Sequence, residues 1–163
     1  MPPANVFTCR RCGQCCQGIG GIVLAARDIE RLCRHLGLDR ETLLSRYAEQ
    51  VADRPRLVSR KDGYCVFYQG GCGIYEARPD VCRAWPFFQA NLVDPGSFAM
   101  AREDCLGIDR ETSHEEFARQ GKAFLERQGL MNRNGDDGPR ALVGCTEEHS
   151  REKDHGRPGL DAA

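Results

Sequence analysis

Four of the chain's ten cysteines fall within eight residues, Cys9-x-x-Cys12-x-x-Cys15-Cys16, and four more follow at Cys65, Cys72, Cys82 and Cys105. This pattern constrains the fold more than any other feature of the 163 residues. Hydrophobic residues make up 40% of the chain, but that figure includes the cysteines, and only 7% is aromatic. A chain so poor in large apolar side chains builds a modest core, and small cores generally need a disulfide, a metal or a partner as a staple. The N-terminal MPPANVFTCRRCGQCC has no basic head, apolar run or cleavage site, and no stretch is long and apolar enough to span a bilayer. These features predict a cytoplasmic chain, and in a reducing compartment such spacing favours metal binding over disulfides.

The spacing also speaks to the metal. A C-x-x-C turn aims two thiolates at one centre while backbone N–H groups hydrogen-bond the sulfurs. A third cysteine at the same interval is similar to the run that wraps iron–sulfur clusters. Structural zinc sites more often pair two separated C-x-x-C elements. Here the later cysteines are separated by six, nine and 22 residues, so there is no second C-x-x-C. The expectation is an iron–sulfur centre of the 4Fe-4S kind, with zinc as the alternative. Cys9, Cys12, Cys15, Cys16, Cys65, Cys72, Cys82 and Cys105 are the expected ligands, dividing naturally into two four-thiolate sites. Adjacent side chains of an extended backbone point to opposite sides, which assigns Cys15 and Cys16 to different sites. Cys33 falls on the apolar face of a helix and reads as core. Cys145 reads as an unliganded thiol, and His35, His114, His149 and His155 as solvated surface residues.

The expected fold is α+β: a small, loop-rich, metal-organised domain over residues 1–130, with three to four helices and a β-hairpin, then a disordered polar tail over 131–163. Ile22–Leu24 is a short β-compatible run. The first helix spans Ala26 to Leu36 and ends at Gly37. A second starts at the Asp39 cap, carries Leu43, Leu44, Tyr47 and Val51, and stops before Pro55. Arg56–Arg60 and Tyr64–Tyr68 form the expected hairpin around Lys61-Asp62-Gly63. Pro79 opens a short helix carrying Cys82, Pro86 closes it, and a looser stretch through Asp94-Pro95-Gly96 leads to Cys105. Ser113 and Glu116 form a capping-box signature for a last helix with Phe117, Phe124 and Leu125 on its apolar face.

Other chemistries find little support. The 23 basic and 24 acidic residues leave a net charge of −1, with no electrostatic footprint for nucleic acid or an anionic membrane. A protein partner remains open. P-loop, G-x-G-x-x-G, H-E-x-x-H and H-x-E…P-C-x-x-C patterns are absent. Around Cys82, Arg78 and Arg83 are placed to offset thiolate charge, or else lie on the surface. Tyr75, Trp85, Phe87 and Phe88 read first as core.

With CRRCGQCC at 9–16, the helix ARDIERLCRHLG, YCVFYQGGCGIYEARPDVCRAWPF at 64–87 and Cys105 in view, the chain resembles the YkgJ-like cysteine-cluster family of proposed zinc- or iron-chelating proteins. The resemblance covers about residues 7–108. It implies an iron–sulfur or zinc protein, in the first case with a redox or electron-transfer role and in the second a structural zinc-binding interaction module without catalysis. A related branch includes the flagellin lysine N-methylase, which uses S-adenosylmethionine. That relation makes a cluster-containing, protein-modifying enzyme the third expectation, though no second region here supplies an obvious methyl-donor domain.

Overall fold

The computed structural model describes residues 5–18, 21–132 and 140–144. Its N-terminal half joins two helices to a small sheet. β1 (Ile22–Val23) leads into α1 (Ala26–Leu36). At the third position of α1 the Asp28 carboxylate accepts the Ala25 N–H at 3.0 Å, satisfying one donor of the helix start. Gly37, with φ 65°, ends the helix in the left-handed region. Asp39 caps α2 (Arg40–Tyr47) by accepting the Thr42 N–H at 2.9 Å.

Two sequence expectations shift here. α2 ends at Tyr47, and the next four residues form β2 (Ala48–Val51), which turns onto β3 (Arg54–Leu57). The hairpin therefore lies earlier than expected, with Ala48 opposite Leu57 and Val51 opposite Arg54. Tertiary contacts override the helical periodicity: Tyr47 packs its ring on Phe67 at 4.7 Å, and Arg56 pairs across the strands with Glu49 at 2.7 Å. β3 is the middle strand of the antiparallel order β1-β3-β2. The turn at 61–63 does form, flanked by the Ser59–Cys65 bridge and by the Arg60 N–H to Tyr64 carbonyl and Val66 N–H to Val58 carbonyl bonds, without a named strand pair.

The second half is helical. α3 (Asp80–Ala84) follows Pro79, and the Trp85–Pro86 peptide is cis. The stretch expected to be loose holds two helices, α4 (Gln89–Val93) and α5 (Pro95–Asp104). Asp94 and Pro95, read as breakers, act as a start: Asp94 accepts the Ser97 N–H at 2.6 Å and Pro95 takes the first helical position. α6 (His114–Arg127) begins at Ser113, whose Oγ accepts the Glu116 N–H at 3.2 Å.

Each half has its own core. Leu24, Ile29, Leu32, Leu43, Leu57 and Phe67 fill the sheet half. Phe87, Leu92, Phe98, Phe117 and Leu125 fill the helical half. Phe117 meets Phe98 at 4.7 Å and Phe87 at 5.0 Å. Leu142 is buried in this second core, and the Ala141 carbonyl accepts the Gln89 N–H at 3.0 Å. The stretch 140–144, expected to belong to a disordered tail, thus packs on the domain. The remaining tail, with Cys145, His149 and His155, lies outside the described residues.

Gly121 sets how closely α6 approaches. A Cβ there would stand 2.5 Å from a Phe87 ring carbon and 2.8 Å from a Leu92 methyl. Gly121→Ala is therefore expected to destabilise by about 1–3 kcal/mol through overpacking, outweighing alanine's better helix propensity. Urea unfolding measures it, and an unchanged or raised midpoint would contradict the close approach.

Candidate metal centre

The first cysteines sit in a loop wound tightly by local hydrogen bonds. Gly13, with φ 78°, starts a 3-10 turn over Gln14–Cys16 closed by the Cys16 N–H to Gly13 carbonyl bond at 2.9 Å. Here glycine is required twice over, since a Cβ would also collide with the Tyr68 ring. The loop is zipped to the next cysteine: the Cys65 N–H donates to the Cys16 carbonyl at 2.7 Å, and the Gly18 N–H to the Gly63 carbonyl at 2.9 Å. Cys72 closes a further turn opposite Tyr68. Cys82 rides on α3, and Cys105 sits just past the end of α5. The arm before Cys9 pairs with the chain after Cys105, the Thr8 N–H reaching the Gly107 carbonyl at 2.9 Å and the Asp109 N–H the Val6 carbonyl at 3.0 Å.

These connections place all eight cysteines on the wall of one cavity of about 420 Å³. Residues from both cores border it, Leu57 and Ile74 from the sheet half and Cys105 from the helical half. It therefore occupies the seam between them. Cys12 and Cys15 are exposed, whereas Cys105 is buried.

Five of the thiols act on one another. Interaction with the neighbouring Cys16 thiol lowers Cys15 to about 7 and Cys72 to about 6, with help from the Arg78 charge. Cys16 is pushed up by the same two neighbours. Burial raises Cys65 and Cys82, and the neighbouring thiols raise Cys82 further. The pattern is a set of crowded sulfurs, donors suited to a cation that takes thiolates. Thiolate donors fit zinc and iron–sulfur centres alike. Among the described residues no three donors already surround a single point as a bare ion requires.

A model of the CxxCxxCC family, described as a proposed zinc- or iron-chelating domain, matches residues 8–120. The chain belongs to this family. The matched span contains every cysteine of the cavity, together with α1 to α5 and part of α6. No solved structure matches the chain. Membership in the CxxCxxCC family gives the domain its coarse assignment as a zinc- or iron-chelating one.

Within this CxxCxxCC domain the individual expectations fare differently. The opposed orientation of Cys15 and Cys16 fails, because the backbone there is a 3-10 turn and not an extended strand. Both residues line the same cavity. Cys33 lies apart, packed half-buried against the sheet-side core as expected. His35 is exposed, while His114 is half-buried, its Nε2 3.0 Å from the Asn91 carbonyl and its ring against Phe98. Of the two arginines flanking Cys82, Arg78 faces the cavity; Arg83 turns to Asp80 at 3.2 Å. Tyr75, Trp85 and Phe88 line the cavity, and Phe87 belongs to the core. Among the described residues no helix is long and apolar enough to cross a membrane.

A buried charge network beside the site has no counterpart in the sequence expectations. Asp28 is fully buried; its carboxylate accepts the Asp80 N–H at 2.9 Å and Arg31 at 2.6 Å. Asp80, 2% exposed, also accepts Arg31 at 2.8 Å and pairs with Arg27 and Arg83. The network ties α1 to the helix that carries Cys82. Its one trace in the sequence is Arg27-Asp28 and Arg31 in a helix whose neighbours are apolar.

Proposed function

We infer that the chain holds an iron–sulfur centre of the 4Fe-4S kind on thiolates of this cavity and serves in electron transfer. The observation that carries the reading is the set of eight thiols, without a histidine, around one 420 Å³ space. A single zinc draws four sulfurs to about 2.3 Å, so the wall would have to close in on it. A polynuclear centre spans more of the space with the sulfurs spread. Held on thiolates of Cys9, Cys12, Cys15, Cys16, Cys65, Cys72, Cys82 and Cys105, such a centre would supply one-electron redox chemistry. The residues around it do the rest. Tyr75, Trp85 and Phe88 limit water along part of the wall, and hydrogen bonds and solvent access set the potential. A partner protein would approach from the side of Cys12 and Cys15, which are exposed. The thiols suit a reducing compartment such as the cytoplasm.

Anaerobic purification followed by iron, zinc and acid-labile sulfide determination tests this. The expected result is brown protein with iron and sulfide in comparable amounts. Colourless protein with stoichiometric zinc and no sulfide would overturn it in favour of a structural zinc module.

A further inference from the structure

Arg78 stands on the wall of the cavity that the eight cysteines line, and its position is fixed twice. Its Nε donates to the Tyr75 carbonyl at 3.0 Å, and its guanidinium carbon lies 3.8 Å from the centre of the Tyr75 ring. Its own carbonyl accepts from Arg31 Nη2 at 2.8 Å. The cations nearby have carboxylate partners. Arg27, Arg31 and Arg83 pair with Asp80. Arg11, stacked on the same tyrosine ring at 3.9 Å, is 3.6 Å from Glu76. Among the described residues no carboxylate pairs with Arg78. A full positive charge is thus delivered, on a rigid mount, to the wall that carries the thiols.

We propose that Arg78 is the built-in counter-charge of the metal centre, stabilising its thiolate-bound form and, in an iron–sulfur centre, raising its reduction potential. The inference rests on the cavity being the metal site, and its potential-setting part on the iron–sulfur reading. Thiolates around a metal leave excess negative charge, and a weakly hydrated guanidinium offsets it at little desolvation cost. Adding an electron deepens that negative charge, so a fixed cation favours the reduced state.

The test compares full-length wild type, Arg78→Gln, Arg78→Lys and Arg83→Gln. Arg83 supplies the control charge, on the same segment but turned to Asp80 and Gln128. Metal retention in a chelator titration applies to either metal, and the reduction midpoint applies to an iron–sulfur centre. Arg78→Gln is expected to weaken retention by about 10–100-fold and move the midpoint to more negative values, while Arg78→Lys, which keeps the charge and loses the mount, loses less and Arg83→Gln stays near wild type. Retention and midpoint unchanged in Arg78→Gln would overturn the proposal. So would an equal loss in Arg78→Lys, which would mark a role of shape and not charge. If wild type carries zinc without sulfide, the iron–sulfur reading falls and the chelator titration still decides Arg78. Should Arg78→Gln fail to fold, Tyr75→Leu removes the ring beneath the guanidinium and is expected to weaken retention; unchanged retention there would count against the proposal.

Discussion

Asp80→Ala is expected to lower the free energy of unfolding by about 3–5 kcal/mol, the usual cost of breaking a buried ion pair by removing one partner. The size follows from how much converges on this carboxylate. Asp80 is 2% exposed and faces Arg27, Arg31 and Arg83, while its backbone N–H is held by the fully buried Asp28. Its loss leaves Arg31 and Asp28 to rearrange in a space that water reaches poorly, with three guanidinium groups deprived of a shared partner. The same change loosens α3 against α1, and Cys82 rides on α3. Reduced metal retention should therefore accompany the reduced stability. Urea unfolding with metal analysis on the same samples measures both. A loss below about 1 kcal/mol, the range of exposed pairs, would show that the network is worth no more than a surface one.

Metal removal is the second large effect, and it is expected to be uneven. Metal binding in small thiolate domains supplies about 10–16 kcal/mol per structural site, much of it spent on folding. Here the two halves depend on it to different degrees. Residues 9–18 and 58–75 are held by turns, isolated bridges and the cavity itself, with little regular secondary structure. α4 to α6 enclose Phe87, Phe98, Phe117 and Leu125 without needing the thiols. After chelation, hydrogen exchange should lose protection across 9–18 and 58–75 first, while α6 stays protected longest. Uniform loss would mean that metal staples the whole chain as one unit. No loss anywhere would remove the staple idea altogether.

Much of this arrangement is legible in the sequence, for identifiable reasons. The α+β class, α1, the Asp39 and Ser113 caps and the separation of Cys33 from the other eight follow from periodicity and from short-range capping chemistry. These signals are local, so a single sequence carries them. The misreadings came where contacts distant along the chain decide the outcome. Ala48–Val51 continues the helical pattern of α2, yet pairing with Arg54–Leu57 draws it into the sheet. Asp94-Pro95-Gly96 reads equally as a loop and as a helix start, and the packing of α4, α5 and α6 selects the start. Leu142 sits in a three-residue apolar patch, Ala141-Leu142-Val143, within polar surroundings, and its burial depends on a core formed largely by residues 84–130. For Cys15 and Cys16 the reasoning was sound for an extended strand, but the left-handed Gly13 winds the segment into a turn.

The pairing of the N-terminal arm with residues 107–109 also bears on how the protein is made. Cys9 to Cys16 leave the ribosome first, but the Thr8–Gly107 and Val6–Asp109 hydrogen bonds that frame the cavity need chain about a hundred residues later. Until then the early thiols have no enclosing wall. Synthesis at roughly 5–20 residues per second leaves them several seconds as an open, reactive quartet. On the proposed reading of the cavity as the metal site, its loading is expected to be a late event, completed after most of the domain has emerged, with the first four cysteines needing reducing surroundings until then.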